Sequence, residues 1–503
     1  MTTPRPADVA ADALLRAAVV DVGSNSVRLV VYDGPARIPD VFANEKTLCG
    51  LGRDLARTGR LAPDGVARAK AALTRFAAMT AALGIDRVDV VATAAVREAE
   101  DGPAFVEAVA GATGWNARVL SGVEEARLAA LGVAFGIPDA RGWVVDMGGA
   151  SVEVAAIDRG QVGARVSLPV GPLTLGDLPA SDGRREAYLR GLVDAALART
   201  NGAHETAYLV GGSARAIARV DMLRRGYPLP VLHGYAITCD DFERTCAMIR
   251  KTPPVQLRAA TGIGAGRIAL LREASELLGA LLRRLDVRRS IVSSFGLREG
   301  TVFERLPPAV RVADPLLVAA RTVERRHARF PGRAAALDQF VEPLLVGADG
   351  DRRRWVRAAC HLHDVHWRVH PDYRHEVAFD EAMRATLCGV THVGRVYIAL
   401  ILSHRYKKRP GAHHGELAAA LLPPALRTEA AVLGRAMRLW TALGSPDGPI
   451  APKLIVGHGG AGVTLRLPTA DPRWCGEVVE SRLRALARTL GVKARVERPP
   501  AAP

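Results

Sequence analysis

The chain has 503 residues, of which 49% are hydrophobic and 24% charged, and its formal net charge is +16. This length exceeds what a single hydrophobic core supports, so we expect a globular protein of two to four domains and exclude a disordered chain. The positive charge predicts a polyanionic partner, which could be nucleic acid, an acidic membrane or a phosphate polymer.

Cysteine usage and the N-terminal residues indicate the compartment. The six cysteines are scattered and form no CxxC pair, which favours a reducing environment over a disulfide framework or a zinc ribbon. The stretch to about residue 15 carries Asp8 and Asp12 and has no apolar signal-peptide core. No segment approaches about 18 uninterrupted apolar residues. We therefore expect a cytoplasmic protein with no membrane partner.

The first motif is a turn between two apolar strands predicted within residues 17–32. Asp21 precedes a loop of four residues, Gly23, Ser24, Asn25 and Ser26. Glycine lets backbone N–H groups converge on an anion and the serine hydroxyls add donors, so this loop suits a phosphate group. For one such turn taken alone, an ordinary glycine-rich hairpin is the alternative.

A predicted helix at 64–83 and a buried strand at 88–92 lead to Arg97. An arginine just beyond a strand end can donate two parallel hydrogen bonds to a phosphate, although a surface arginine is the alternative. Ser121 and Glu124 then form the pattern of a capping box at the start of an apolar helix. Glu124 is thereby given a structural role, and Glu125 is left free to point elsewhere.

The central motif repeats the first one 125 residues later in the chain. Val19–Val27 and Val144–Val152 are identical at six of nine positions, among them the pair Asp21 and Asp146. Asp146, at the end of its strand, can hold a hydrated Mg²⁺. The repeat predicts two similar lobes that each present a phosphate loop to a shared cleft.

A third anion-binding junction follows at Gly211, Gly212 and Ser213, where a strand ends and a helix begins with its positive dipole facing the loop. Helices are also predicted at 240–250 and 267–285, and a strand at 291–295. The run Gly262–Gly266 is interpreted as a loop, because no strand precedes it and its spacing is not GxGxxG.

Beyond Pro308 the composition changes, and residues 313–445 predict a separate all-α region. It contains the basic runs 352–354 and 405–409, which indicate either a track for a polyanion or a solvated face. Its histidines indicate either metal binding or ordinary structural roles. Residues 452–495 predict a small βαβ appendage.

These motifs resemble a known family. The phosphate junctions that begin at Asp21, Asp146 and Gly211 resemble those of the ribonuclease-H-like ATPase superfamily of actin, sugar kinases and heat-shock chaperones. Within it, the stretches TAAVRE, SGVEEAR, DMGGASVE and FGLREG are similar to the exopolyphosphatase/guanosine pentaphosphate phosphohydrolase (PPX/GppA) family. His363-Asp364 and His404-Arg405 resemble the HD-phosphohydrolase-like C-terminal domain of its longer members.

The resemblance implies an α/β fold of two ribonuclease-H-like lobes, followed by an all-α HD-like domain and a small α+β tail. The implied boundaries are 1–137 and 138–308 for the lobes, 309–448 for the helical domain and 449–503 for the tail. In two places the sequence departs from the family. Ala150 replaces a third glycine, which would cost about 1–2 kcal/mol if that position needs a positive φ. The histidines of the helical domain do not complete an H…HD…D set.

The resemblance also implies a role for individual residues. The catalytic glutamate is placed at Glu125, with Glu124 as the alternative, and Arg97 would hold the terminal phosphate. The implied phosphate-binding residues are Ser24, Asn25, Ser26, Gly148, Gly149, Ser151, Gly212 and Ser213. The implied Mg²⁺ ligands are Asp146, Glu153 and Asp21.

The implied activity is Mg²⁺-dependent hydrolysis of the terminal phosphoanhydride of inorganic polyphosphate. Guanosine pentaphosphate (pppGpp) needs the same chemistry and is the alternative substrate, but the basic C-terminal half favours the long polymer. A non-catalytic regulator that binds polyphosphate or a nucleotide is the second alternative. A sugar kinase would need an aspartate base, and the SGVEEAR pair is not that signature. Nucleic acid is not an expected partner, and a homodimer is left open.

Overall fold

The computed structural model describes residues 16–33, 37–176, 184–198, 204–407, 410–443, 451–457 and 462–499. The chain divides into two compact units, Met1–Pro315 and Leu316–Pro503. The first unit contains two sheets with flanking helices, and the second contains helices followed by a small sheet.

The first sheet of unit one has five strands in the order β3-β2-β1-β4-β5. Its strands are β1 (Ala17–Val22), β2 (Ser26–Asp33), β3 (Asp40–Leu48), β4 (Arg87–Ala92) and β5 (Ala117–Val119). β2 pairs antiparallel with β1 and β3, whereas β1, β4 and β5 run parallel. Because β1 is covered on both faces, it is an almost continuous run of buried apolar residues.

The second sheet repeats this connectivity and adds one strand, in the order β10-β11-β9-β6-β7-β8. Its strands are β6 (Arg141–Met147), β7 (Val152–Asp158), β8 (Gln161–Leu168), β9 (Thr206–Val210), β10 (Ala236–Thr238) and β11 (Arg289–Val292). β6, β7 and β8 form an antiparallel meander like that of β1, β2 and β3, and β9 lies parallel to β6 as β4 lies to β1. The two lobes predicted from the repeated motif are therefore confirmed.

The helices of the first unit surround these sheets. They are α1 (Leu55–Thr58), α2 (Pro63–Ala82), α3 (Ala94–Glu98), α4 (Gly102–Thr113), α5 (Gly122–Gly136), α6 (Pro172–Gly176), α7 (Arg184–Leu197), α8 (Gly212–Arg225), α9 (Cys239–Lys251), α10 (Pro254–Thr261), α11 (Ala265–Ile268), α12 (Leu271–Arg284), α13 (Leu297–Glu304) and α14 (Pro308–Arg311). The predicted helix at 267–285 is thus two helices, and the strand predicted at 291–295 ends at Val292. The serine side chain of Ser293 binds the Phe295 backbone and makes the turn there.

Helices α5 and α13 pack closely because glycine removes the side chain at the contact. A Cβ on Gly300 would overlap the carbonyl oxygen of Leu128, and a Cβ on Gly132 would overlap the backbone of Gly296. This contact fixes the start of α5, which carries Glu125, relative to α13, which carries Arg298. Both of these side chains reach the cleft described below.

The second unit is helical before its small sheet, as the sequence predicts. Its helices are α15 (Pro315–His327), α16 (Ala334–Val341), α17 (Gly350–Leu362), α18 (Arg374–Arg384), α19 (His392–Tyr406), α20 (Ala412–Leu421), α21 (Pro424–Leu443) and α22 (Glu477–Leu490). Helix α19 is buried on nearly all sides and packs against α17, α18 and α21.

The C-terminal sheet has three strands in the order β12-β13-β14. They are β12 (Lys453–Val456), β13 (Val463–Arg466) and β14 (Ala494–Glu497). β13, α22 and β14 form the predicted βαβ unit with parallel strands, and β12 adds an antiparallel strand that was not predicted. None of the helices within the described residues has the length and hydropathy needed to cross a membrane.

Candidate active site

All three predicted anion loops line one cleft of about 540 Å³ in the first unit. Its wall contains every predicted phosphate-binding residue of these loops, together with Glu125 and the three predicted metal ligands. Asp21 and Asp146 lie at the ends of corresponding strands, and both face this cleft. The structure therefore brings together loop residues that lie 190 positions apart in the sequence, such as Gly23 and Ser213.

The first two loops are closed by the same hydrogen bond. The backbone N–H of Gly23 donates to the carbonyl of Ser26, and that of Gly148 donates to the carbonyl of Ser151, both at 3.0 Å. Ala150 does not need a positive φ, because Arg159 and Asp286 are the non-glycine residues with positive φ in the described parts of the chain. The strain considered for this departure from the family is therefore absent.

The third loop lies at the N-terminus of α8. Gly211 has a φ of 101°, a conformation that favours glycine, and a Cβ there would collide with the carbonyl oxygen of Met147. Gly212 and Ser213 follow in the first turn, where unpaired N–H groups and the helix dipole attract an anion. The structure therefore has the strand-to-helix junction expected here, and anion binding by this loop stays a prediction.

Glu125 is a buried carboxylate in the wall of the cleft, only 8% exposed. Its pKa is raised to about 7, chiefly by burial and also by the nearby Asp146 and Asp21, while Arg97 opposes the shift. A carboxylate with a pKa near neutrality can accept a proton from water at physiological pH. Glu125 thus has the electrostatic properties of a general base.

Glu124 has a different position and a different role. Its Oε2 accepts hydrogen bonds from the backbone N–H and the hydroxyl of Ser121, both at 3.2 Å, and the Ser121 hydroxyl accepts from the Glu124 N–H. The predicted capping box is therefore confirmed. Glu124 is not among the described residues that line the cleft, which favours Glu125 as the base.

Arg97 contacts Glu125 rather than the open cleft. Its guanidinium donates to the Glu125 carboxylate at 3.2 Å and to the carbonyl of Leu120 at 2.9 Å. It is not among the described residues that line the cleft, so contact with a terminal phosphate stays a prediction. In this structure Arg97 fixes the position of Glu125 and partly offsets the cost of burying it.

The predicted magnesium ligands differ in their surroundings. Burial raises the pKa of Asp146 to about 6, and burial also raises that of Glu153, which accepts a hydrogen bond from Ser167 at 2.9 Å. Asp21 instead forms an ion pair with Arg298 at 2.9 Å. Buried carboxylates that repel one another fit a hard cation such as Mg²⁺.

No three His, Cys, Asp or Glu side chains converge as a metal-binding group within the described residues. Mg²⁺ is commonly bound by one or two carboxylates together with water and substrate phosphates, so the donor set still fits this ion. Asp146, with Glu153 beside it, is the pair that would hold it. The magnesium assignment stays a prediction.

Five cationic side chains of the cleft were not predicted from the sequence. They are Arg28, Lys46, Arg215, Arg267 and Arg298. Burial lowers the pKa of Lys46, and the four arginines around it, including Arg298, lower it further. Only residues 262–264 of the Gly262–Gly266 run form the predicted loop, whereas Ala265 and Gly266 begin α11, which also carries Arg267. A period-2 pattern in β2 places Arg28 on the face of Ser26, which was the available signal for that residue.

The basic runs and histidines of the second unit form individual pairs. Arg352 pairs with Glu429 at 3.1 Å, Arg353 with Glu342, and Arg354 with Asp351 at 3.9 Å, so this run is not an unpaired basic track. Lys408 and Arg409 lie outside the described residues. Three histidines have separate carboxylate partners, His361 with Glu324, His366 with Glu381 and His414 with Asp380, and His363 contacts the backbone carbonyl of Cys360.

The fold defines a class of protein: a two-lobed α/β protein of the actin and ATPase type. The Ppx/GppA phosphatase family matches residues 30–309, which is more than half of the chain, and a second model, exopolyphosphatase C-terminal, matches residues 316–496. The chain belongs to the Ppx/GppA phosphatase family.

Several relatives are similar to the chain. Retrograde regulation protein 2 of Saccharomyces cerevisiae is 25% identical over 77% of the chain and 72% of its own length. Exopolyphosphatase 1 of Mycobacterium tuberculosis is 27% identical over 58% of the chain and 88% of its own length. The crystal structure of the Aquifex aeolicus family member, 24% identical, covers 58% of the chain and 97% of its own with a TM-score of 0.51, which supports the fold.

Proposed function

We propose that this protein is an exopolyphosphatase, which hydrolyses the terminal phosphoanhydride of inorganic polyphosphate and releases orthophosphate. The observation that carries the proposal is the position of Glu125. A buried carboxylate with a pKa of about 7 lies in the wall of a cleft formed by three anion-binding loops. Glu125 would take a proton from the attacking water while the loops hold the phosphate in line.

The rest of the cleft supports stabilisation of the transferred phosphate. Backbone N–H groups at the loops and at the N-terminus of α8 would face the oxygens on which negative charge develops. Electrostatic stabilisation of this kind makes the largest contribution to the rate of phosphoryl transfer. When bound, Mg²⁺ would neutralise phosphate charge, and Asp146 with Glu153 would hold it. Five cations in the cleft wall, Arg28, Lys46, Arg215, Arg267 and Arg298, would bind the remaining phosphates of the chain.

Phosphate release from long-chain polyphosphate and from pppGpp, each with and without Mg²⁺, tests the proposal. We expect faster metal-dependent release from polyphosphate, because the cations of the cleft can bind several successive phosphates. The same assay on Glu125→Gln and Glu124→Gln tests which glutamate is the base. Faster release from pppGpp would make the nucleotide the substrate and leave the mechanism unchanged.

A non-catalytic regulator is the second candidate. One observation favours it: a relative that is similar over 77% of the chain has a name that describes regulation. Tight binding of polyphosphate without metal-dependent phosphate release would select this function. Glu125 would then have no role in turnover, and Glu125→Gln would leave binding and signalling unchanged.

A further inference from the structure

The second sheet places three polar side chains at matched positions of neighbouring strands. In the register of β6, β7 and β8, Glu153 lies directly opposite Asp146 on one side and directly opposite Ser167 on the other. Glu153 is almost completely buried, with 2% exposure, and it lines the cleft together with Asp146. Two carboxylates directly opposite each other on paired strands repel, so this arrangement is costly unless a donor or a cation compensates for it.

Ser167 supplies one such donor. Its hydroxyl donates a hydrogen bond of 2.9 Å to Oε1 of Glu153. A hydrogen bond to a charged acceptor is stronger than a neutral one, and it restricts the orientation of the carboxylate. Ser167 is not among the described residues that line the cleft, so it acts on the site through Glu153.

The start of α5 packs against the same serine. A Cβ on Gly122 would lie 2.4 Å from the Cβ of Ser167 and 2.6 Å from its hydroxyl oxygen, so this close approach requires glycine. Glu125 follows three residues later on the same helix. Ser167 therefore lies between Glu153, a predicted metal ligand, and the helix that carries the predicted base.

The corresponding three positions of the first lobe carry different charges. There Arg28 lies directly opposite Asp21 on one side and Lys46 on the other, and all three line the cleft. The matched strands thus hold an acid and two cations in the first lobe, but two acids and a hydroxyl in the second. The first set suits phosphate groups, and the second suits a hard cation.

We propose that Ser167 is a positioning residue, which holds the Glu153 carboxylate in the orientation needed to bind Mg²⁺ with Asp146. This inference rests on the magnesium site of the proposed function. Residues that hydrogen-bond to a metal ligand fix its orientation, and their loss commonly weakens metal binding by about 10- to 100-fold. The effect of Ser167 should therefore be on the metal rather than on the phosphate chain.

Titration of Mn²⁺, followed by electron spin resonance in the absence of polyphosphate, tests this role. Ser167→Ala should bind Mn²⁺ about 10- to 100-fold more weakly than the wild type. The matched control is Ser290→Ala, which removes a hydroxyl from β11 of the same sheet and should bind Mn²⁺ as the wild type does. If Ser167→Ala does not fold, Ser167→Cys keeps nearly the same shape with a weaker donor and should also bind Mn²⁺ more weakly.

A second titration separates positioning from a general loss of structure. Without metal, Ser167→Ala should bind polyphosphate with the affinity of the wild type, because Ser167 does not line the cleft. Lys46→Ala, at the matched position of the first lobe, should show the reverse pattern. It should bind polyphosphate more weakly and lose no affinity for Mn²⁺.

Three results would overturn the proposal: no Mn²⁺ binding by the wild type, wild-type Mn²⁺ affinity in Ser167→Ala, or an equal loss of Mn²⁺ and metal-free polyphosphate binding in that variant. Phosphate release is measured on the same samples. Mn²⁺ binding that depends on Ser167, without phosphate release from polyphosphate or pppGpp, would count against the proposed hydrolase and leave the role of Ser167 standing.

Discussion

Replacing Glu125 by glutamine should raise the free energy of unfolding and at the same time strongly slow phosphate release. The pKa of this carboxyl rises from its ordinary 4.5 to about 7 in the folded protein. The folded state therefore binds the proton more tightly than the unfolded state. The resulting contribution to the free energy of unfolding is fully present below pH 4.5 and is lost as the pH rises through 7. At 1.36 kcal/mol for each pH unit, charging Glu125 at pH 8 costs up to about 3 kcal/mol.

Glutamine keeps the shape and the contact with Arg97 but carries no charge. We expect the free energy of unfolding of Glu125→Gln to exceed that of the wild type by up to about 3 kcal/mol at pH 8, and the difference to vanish near pH 4.5. Urea unfolding at both pH values measures it. Phosphate release should fall by about 10²–10⁴-fold, because a general base contributes that much.

Glu124→Gln is the matched control for this experiment. Glutamine at this position still accepts the hydrogen bond from the Ser121 backbone, so the capping box is kept and stability should change by less than about 0.5 kcal/mol. Its turnover should match that of the wild type. The reasoning would be refuted by wild-type turnover in Glu125→Gln, or by a stability difference that does not depend on pH.

Three further changes test other parts of the site. Gly211→Ala should destabilise the fold by about 1–3 kcal/mol and weaken polyphosphate binding, because the φ of Gly211 is positive and a Cβ would collide with the Met147 carbonyl. Thermal melting and a binding titration measure the two effects, and unchanged values would contradict this geometry. Arg298→Gln should tighten binding of Mn²⁺, a paramagnetic substitute for Mg²⁺, because Asp21 loses its ion pair and becomes available to the metal. An electron spin resonance titration measures this affinity, and an unchanged value would mean that Asp21 does not contact the metal. Ser121→Ala should cost about 1 kcal/mol in the free energy of unfolding with little change in turnover, which urea unfolding and a phosphate assay would check.

The predictable part of the fold is the part that the repeat encodes. Asp21 and Asp146 end strands of buried apolar residues, and the shared loop pattern after them indicated two lobes and one cleft. The strands β3 and β8 were not predicted. Both have few buried residues, and β3 lacks the regular alternation of apolar and polar residues that indicates a strand. An exposed strand at a sheet edge differs from a loop mainly in its pairing with the neighbouring strand, and a single sequence does not show this pairing.

The candidate site also has a part that could be predicted from the sequence and a part that could not. Local signals identified the loops and separated Glu124 from Glu125, since a capping box is read from residues three positions apart. The contact between Arg97 and Glu125 and the ion pair between Arg298 and Asp21 join residues 28 and 277 positions apart. Neither pair could be predicted without the fold, because only the packing of α13 on α5 and β1 brings Arg298 to the first lobe.

One of the matched positions at which the two hairpins differ lies opposite the aspartate of each lobe. In the first lobe the residue opposite Asp21 is Arg28, whereas in the second lobe the residue opposite Asp146 is Glu153. Arg28 adds positive charge to the wall of the first lobe, and Glu153 adds negative charge to the wall of the second. Because the two ends of a polyphosphate chain are identical, this difference does not select one end; we expect it instead to make the chain extend from Glu125 along the wall of Arg28 and away from Glu153.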